Sequence, residues 1–322
     1  MRGFKLVRST EVLPTEPLTV TIFGPPGVGK TSIGFTALGP SIWFDFDKGM
    51  KRALQKCRPD GTTPTNMREY MEYIMSDEFK EFVDFEGYKT VGIDTAGTFL
   101  DDFLAGYVKE MDRKNSNSAG GLTLAGWGAL KDQFNMVRNR FHALGLNMVF
   151  ICHDKDMGEE SPIKMGLGVS GGSSDIIQRC SDQIGYMSAE KGKVFINFSP
   201  RQSLHIGKDT ARIGKVEVPL GKTAKYDTFL ATIMEQCISK IAERSEAQIK
   251  AQEQVDEYAG LIAKCNEPAD FADLTEAMKV LKGAVAVQVK ALFKNRMYQT
   301  GVTWDKDAAM YVQTETQEDG QD

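Results

Sequence analysis

Short apolar runs alternate with longer amphipathic stretches along the first two thirds of the chain, and this alternation predicts a mainly parallel sheet flanked by helices. The predicted strands are the β-branched, apolar runs at 19–23, 41–46, 90–94, 147–152, 183–187 and 194–198. Between them, residues 67–83 and 129–144 carry apolar side chains at helical spacing. Two long segments rich in glycine and small residues, 115–128 and 157–174, break the pattern. Segments of that kind are either plain surface loops or functional loops that order on a ligand.

Past Gly221 the composition turns to Glu, Lys, Gln and Ala, with Phe229, Ile233, Cys237 and Ile241 at helical spacing. A boundary is expected near residue 225. Asp270 or Asp273 as an N-cap before Leu274, Met278 and Leu281, stopped by Gly283, predicts a second helix, and 285–298 a third that ends at Gly301. The expected organisation is an N-terminal segment (1–18), an α/β core (19–225), a small α-helical C-terminal domain (226–303) and an acidic flexible tail (304–322).

Composition adds boundaries rather than a function. With 322 residues, 41% of them hydrophobic, and a formal charge of −5, the chain reads as globular, and its net charge does not announce a nucleic-acid binder. A net charge averages over faces, so a local basic groove remains compatible with it. Five cysteines without a C-x-x-C pair suggest neither a disulfide framework nor a zinc site. The first 19 residues mix charges and prolines instead of forming a signal-peptide core. No run approaches the ~20 apolar residues of a membrane span, so the expectation is a cytoplasmic protein with no membrane partner.

The chemistry begins at Gly24, Pro25, Pro26, Gly27, Val28, Gly29, Lys30 and Thr31, which fit the P-loop pattern G-x-x-x-x-G-K-[ST] without a mismatch. The flanks agree, with a strand-like run before it and, from Ser32, a segment able to open a helix. Backbone N–H groups of such a loop turn inward around a phosphate chain, Lys30 brings a mobile positive charge to the β/γ-phosphates, and the Thr31 hydroxyl is placed to ligate Mg²⁺. The expected ligands are therefore ATP and Mg²⁺. The apolar strand ending in Asp94 has the form of a Walker B strand, whose acid holds Mg²⁺ through its water shell, so Thr31 and Asp94 define the expected metal site.

Two other strand ends carry polar groups. Residues 42–47 end with Asp45 and Asp47 on one side of the alternation, and 148–153 end with His153. In parallel α/β sheets the carboxyl ends of strands converge on the ligand crevice. An acid there can orient and deprotonate an attacking water, and an imidazole can contact the γ-phosphate.

Taken in order, these motifs resemble those of the RecA-like recombinase ATPases, most closely the small phage-encoded RecA-like proteins of the single-strand annealing and recombination type. The resemblance covers about residues 15–220. It implies a RecA-like P-loop NTPase core, with Asp47 in the place of the catalytic carboxylate and His153 in the place of the γ-phosphate sensor. It also implies that 115–128 and 157–174 are DNA-binding loops and that Lys208 and Arg212 reach the ATP of a neighbouring subunit. The stretch 201–225 carries six bases against two acids, a basic patch in an acidic chain, although a lysine-rich strand edge that prevents sheet pairing would look the same. Arg113, Lys114 and Trp127 around the first loop suit phosphate contact and base stacking.

The function expected from the resemblance is an ATP-dependent, single-stranded-DNA-binding protein of recombination or annealing, which hydrolyses ATP at subunit interfaces in a ring or filament. A single-stranded-DNA-binding protein is a further expected partner. The alternatives are a ring helicase or helicase loader on the same core, and an assembly or switch ATPase that never touches DNA.

Overall fold

The computed structural model describes residues 16–53, 59–200, 204–221 and 223–313. The chain opens with β1 (Thr19–Gly24), the glycine-rich turn and α1 (Lys30–Gly34), then β2 (Ser41–Asp45) and a 3-10 turn at Met50–Arg52. β3 (Asp60–Thr62), α2 (Met67–Met75), α3 (Asp77–Glu86) and β4 (Thr90–Asp94) follow. A π-helical stretch, Thr98–Leu104, runs into α4 (Ala105–Met111), and α5 (Leu124–Ala143) leads to β5 (Asn147–Asp156). Next come β6 (Met165–Leu167), α6 (Ser173–Cys180), β7 (Gln183–Glu190), β8 (Lys193–Asn197), β9 (Lys208–Asp209), β10 (Lys215–Glu217), α7 (Ala224–Asp227) and α8 (Phe229–Ile262). The C-terminal part holds α9 (Pro268–Met278), α10 (Gly283–Thr300) and the hairpin of β11 (Val302–Asp305) and β12 (Met310–Gln313).

The strands form one sheet in the order β10-β8-β7-β1-β5-β4-β2-β3, with β6 on β5 and β9 on β7. From β7 through β3 every neighbour is parallel, while β8 and β10 join antiparallel. Residues of β1, β2 and β4 are buried at every position, as expected where helices cover both faces of a parallel sheet. On one face Phe44, Ile93 and Phe150 meet Phe79, Phe99, Phe134 and Phe141. On the other, Ile22, Trp43, Val149 and Ile151 meet Ile33, Phe35 and the first turns of α8 through Phe229, Leu230 and Ile233. The α/β class and the mainly parallel sheet are as expected.

Several local expectations need correction. The helix expected over 67–83 is two, because Ser76 ends α2 and caps α3, its Oγ accepting from the Phe79 N–H at 3.1 Å. The glycine-rich segment 115–128 is shorter than expected: Thr123 caps α5 by accepting from the Gly126 N–H at 3.1 Å, so Trp127 is helical. What remains of it is a closed turn in which Asn117 Oδ1 accepts from the N–H groups of Ala119 and Gly121. Within 157–174, β6 folds back on the outer end of β5 and α6 begins at Ser173.

The boundary expected near 225 lies further along. The chain divides into compact units at Ile241 and Ala242, because the start of α8 belongs to the sheet's core. Within the C-terminal unit, the N-cap of α9 is Glu267 with Pro268 at the first helical position, and Asp270 closes the capping box instead of being the cap. The unit is not wholly helical. Residues 302–313, placed largely in the flexible tail, form the β11–β12 hairpin, whose Tyr311 packs on Phe271 and Phe293. Residues 1–15 of the N-terminal segment, Arg201 and Lys222 of the basic patch, and the acidic stretch 314–322 lie outside the described residues.

Candidate nucleotide-binding site

The P-loop joins the carboxyl end of β1 to α1, and its glycines answer two steric demands. A Cβ on Gly24 would sit 2.2 Å from the Met187 carbonyl oxygen of the neighbouring β7, and Gly29 adopts φ +99°, a region that costs any L side chain strain. Lys30 opens α1 with 6% of its surface exposed, and its Nζ donates to the carbonyls of Gly24 and Pro25, both at 2.8 Å. Burial holds its ammonium below the ordinary lysine range, opposed by the charges of Asp154 and Asp94.

Thr31 and Asp94 are brought together from the P-loop and the end of β4: the Thr31 hydroxyl donates to Asp94 Oδ2 at 2.7 Å. Asp94 is 2% exposed. Burial pushes its carboxyl up to about 6, against the Thr31 hydroxyl, and Asp45 and Asp47 add to the rise. A hydroxyl and a carboxylate side by side are ligands that a hard cation could take, and a cation there would reverse the rise of the carboxyl.

The two acids that end β2 have separate tasks. Asp45 is buried and accepts from the N–H groups of Gly49 and Met50 at 2.8 and 2.9 Å, which fixes the turn after the strand. Asp47 is half-buried, held beside Asp94 by the N–H groups of Phe46 and Asp47 on the Asp94 carbonyl. Its Oδ2 lies 3.9 Å from His153 Nε2 and 3.9 Å from an Arg52 guanidinium nitrogen. His153 ends the part of β5 that lies between β1 and β4, in register with Gly24. Its Nδ1 is buried without a hydrogen-bond partner among the described residues.

These groups face one cavity of about 360 Å³, lined by Gly27, Gly29, Lys30, Thr31, Ser32, Asp47, Asp94 and His153 among others. A larger cavity of about 800 Å³ beside β3 contains none of them. The P-loop backbone, the Lys30 ammonium and the Thr31–Asp94 pair belong to the smaller one, which makes it the candidate nucleotide pocket. Comparison with protein families matches residues 16–211 to a family model described as AAA domain. The chain belongs to that family. Among curated proteins no match is found.

The AAA domain is of the P-loop NTPase type, and the enzyme class that goes with it is an ATPase. The match runs from β1 to the turn after β9 and leaves the C-terminal unit outside. Within the AAA domain, Pro26 lines the pocket beside the P-loop glycines, while Pro25 contributes the carbonyl that holds Lys30. Val28 turns instead to the core cluster under α1. Lys208 and Arg212 are not in this pocket: Lys208 Nζ donates to the Gln178 carbonyl at 3.3 Å, and Arg212 sits at a turn with φ +56°. The register of Lys208 on Ile184 and of Asp209 on Gln183 puts β9 where β7 begins, at the end of the sheet opposite the P-loop, and the Arg212 N–H donates to the Asp209 carbonyl at 3.4 Å. Arg52, which sequence reasoning missed, lines the pocket from the 3-10 turn. Its signal was Asp45, whose side chain folds that turn back over the pocket.

Proposed function

We propose that the protein binds ATP with Mg²⁺ in the P-loop pocket, hydrolyses it, and uses the bound nucleotide to control its grip on single-stranded DNA in recombination or annealing. Lys30 would exchange its loop carbonyls for β/γ-phosphate oxygens, and Thr31 and Asp94 would hold the cation, which when bound neutralises phosphate charge. Asp47 and His153 line the same pocket; in this reading Asp47 would orient water toward the γ-phosphate, and His153 would contact that phosphate.

The observation that carries the DNA reading is a groove where the two glycine-rich segments meet. A Cβ on Gly171 would lie 3.1 Å from the Trp127 ring. The groove holds about 540 Å³ and is lined by Trp127, Lys131, Arg138 and Arg179, with Asp175 the acid among them. An aromatic face beside several cations is the chemistry of a sequence-tolerant single-strand site. The segment that supplies Gly171 is tied to the nucleotide pocket, because the Gly168 N–H donates to the His153 carbonyl at 2.8 Å.

Self-association belongs to the same reading. Lys208 and Arg212 lie far from the pocket of their own chain, which is where residues serving a neighbour's ATP would lie. ATP turnover in Mg²⁺ with single-stranded DNA, double-stranded DNA and no DNA is the test. Stimulation by single strands alone, lost in Trp127→Ala and weakening with salt, supports the proposal. Turnover indifferent to DNA overturns it in favour of a DNA-independent ATPase.

A further inference from the structure

The C-terminal unit contains a cavity that plays no part in nucleotide chemistry. It measures about 610 Å³ and lies between α9, α10 and the β11–β12 hairpin. Met278 and Phe293 are buried beneath it, Leu281 and Met297 are half-buried, and the Trp304 ring stands edge-on to Tyr311 at 4.8 Å with 45% of the tryptophan exposed. Lys279, Lys290 and Lys294 are the charged residues of its lining, and no acid joins them. Lys279 is paired with Glu276. Lys290 and Lys294, one turn apart on α10, make no ion pair among the described residues.

We propose that this cavity binds a short acidic peptide, which inserts one large apolar side chain and lays its carboxylates on Lys290 and Lys294. Two methionines give a pliable apolar floor that accommodates an aromatic or a branched aliphatic anchor. The unpaired lysines rim that floor, so an anchor flanked by acids is steered in and held, while an apolar segment without acids is not. Nucleic acid fits less well. Residues 242–313 carry eleven acids against nine bases, and the cavity itself offers three lysines, whereas a nucleic-acid strand needs cations along its backbone.

The test is fluorescence anisotropy with the full-length protein and a labelled peptide of four aspartates followed by Leu-Phe. Comparison peptides replace the aspartates by serine, or Leu-Phe by glycine. The proposal expects saturable binding of the first peptide and about tenfold or weaker binding of the other two. It also expects at least a tenfold loss in Lys290→Glu/Lys294→Glu, whose exposed positions leave folding intact, as circular dichroism would verify, and a loss in Trp304→Ala. Equal binding of all three peptides, no binding, or binding unchanged by the charge reversal overturns it. Competition by oligothymidylate that is itself lost in Lys290→Glu/Lys294→Glu reassigns the cavity to nucleic acid.

Discussion

Replacing Asp94 by asparagine should make the nucleotide-free protein more stable while abolishing its magnesium-dependent chemistry. A carboxyl raised from 3.8 to about 6 binds its proton more tightly folded than unfolded. Its contribution to stability is therefore full below pH ~4, falls as pH rises through about 6, and is a constant penalty above that. The two values differ enough to make the penalty about 3 kcal/mol at neutral pH. Asparagine keeps an oxygen to accept from the Thr31 hydroxyl but carries no charge to desolvate. At 2–4 °C per kcal/mol for a unit of this size, Asp94→Asn should melt up to about 6–12 °C higher at pH 8. The gain should vanish near pH 4, where the wild-type carboxyl is protonated as well. Thermal unfolding in chelator from pH 4 to 8, beside ATP turnover in Mg²⁺, makes the measurement. Equal melting temperatures at pH 8, a gain that persists at pH 4, or turnover with unaltered magnesium dependence would refute the reasoning.

Lys30→Ala should lower turnover about a hundredfold or more, since neutral backbone donors cannot replace its charge on the phosphates; unchanged steady-state kinetics would remove Lys30 from the site. Asp47→Asn should keep ATP affinity and slow hydrolysis, and a collapse of nucleotide binding in titration calorimetry would make Asp47 structural. His153→Ala should retain nucleotide binding while erasing any difference in single-stranded-DNA affinity between ADP and a non-hydrolysable ATP analogue; a retained difference means that His153 is no switch. Gly92→Ala should cost about 1–3 kcal/mol in denaturant titration, because its Cβ would fall 2.2 Å from the buried Trp43 ring. A stability within error of wild type contradicts that packing.

The parts legible in the sequence were those set by local periodicity and by motif spacing. The P-loop could be read from its motif and the strand ending in Asp94 from an apolar run closed by a polar residue, whereas the run closed by His153 hid that β5 continues to Asp156, where β6 pairs with it. Harder to read were features decided by one side chain capping a neighbour. Ser76 splits a helix whose apolar spacing is continuous, and Thr123 pulls Trp127 out of a loop that its glycines suggested. Asp45 and Asp47 lie two residues apart with the same charge, and only the turn folded over the pocket separates the one that braces the backbone from the one that faces the cavity. The hairpin at 302–313 was hidden because its order rests on Tyr311 meeting Phe271 and Phe293, contacts distant in sequence.

β5 has a mechanical consequence. Its partner in the sheet extends through His153, and its pairing with β6 begins at the next residue, Asp154. No loop lies between the two, so the strand is a push-rod about 10 Å longer than the sheet that guides it, at about 3.3 Å per residue. A flexible joint would dissipate a small movement of the imidazole into backbone torsions. A continuous ladder would deliver it instead as translation of the whole β5–β6 arm, together with the turn whose Gly168 N–H is bonded to the His153 carbonyl. If His153 meets the γ-phosphate as proposed, stiffness at that junction, more than the reach of any one side chain, would set how faithfully the arm follows the phosphate end. Two glycines inserted between His153 and Asp154 would leave both ends intact and disconnect them.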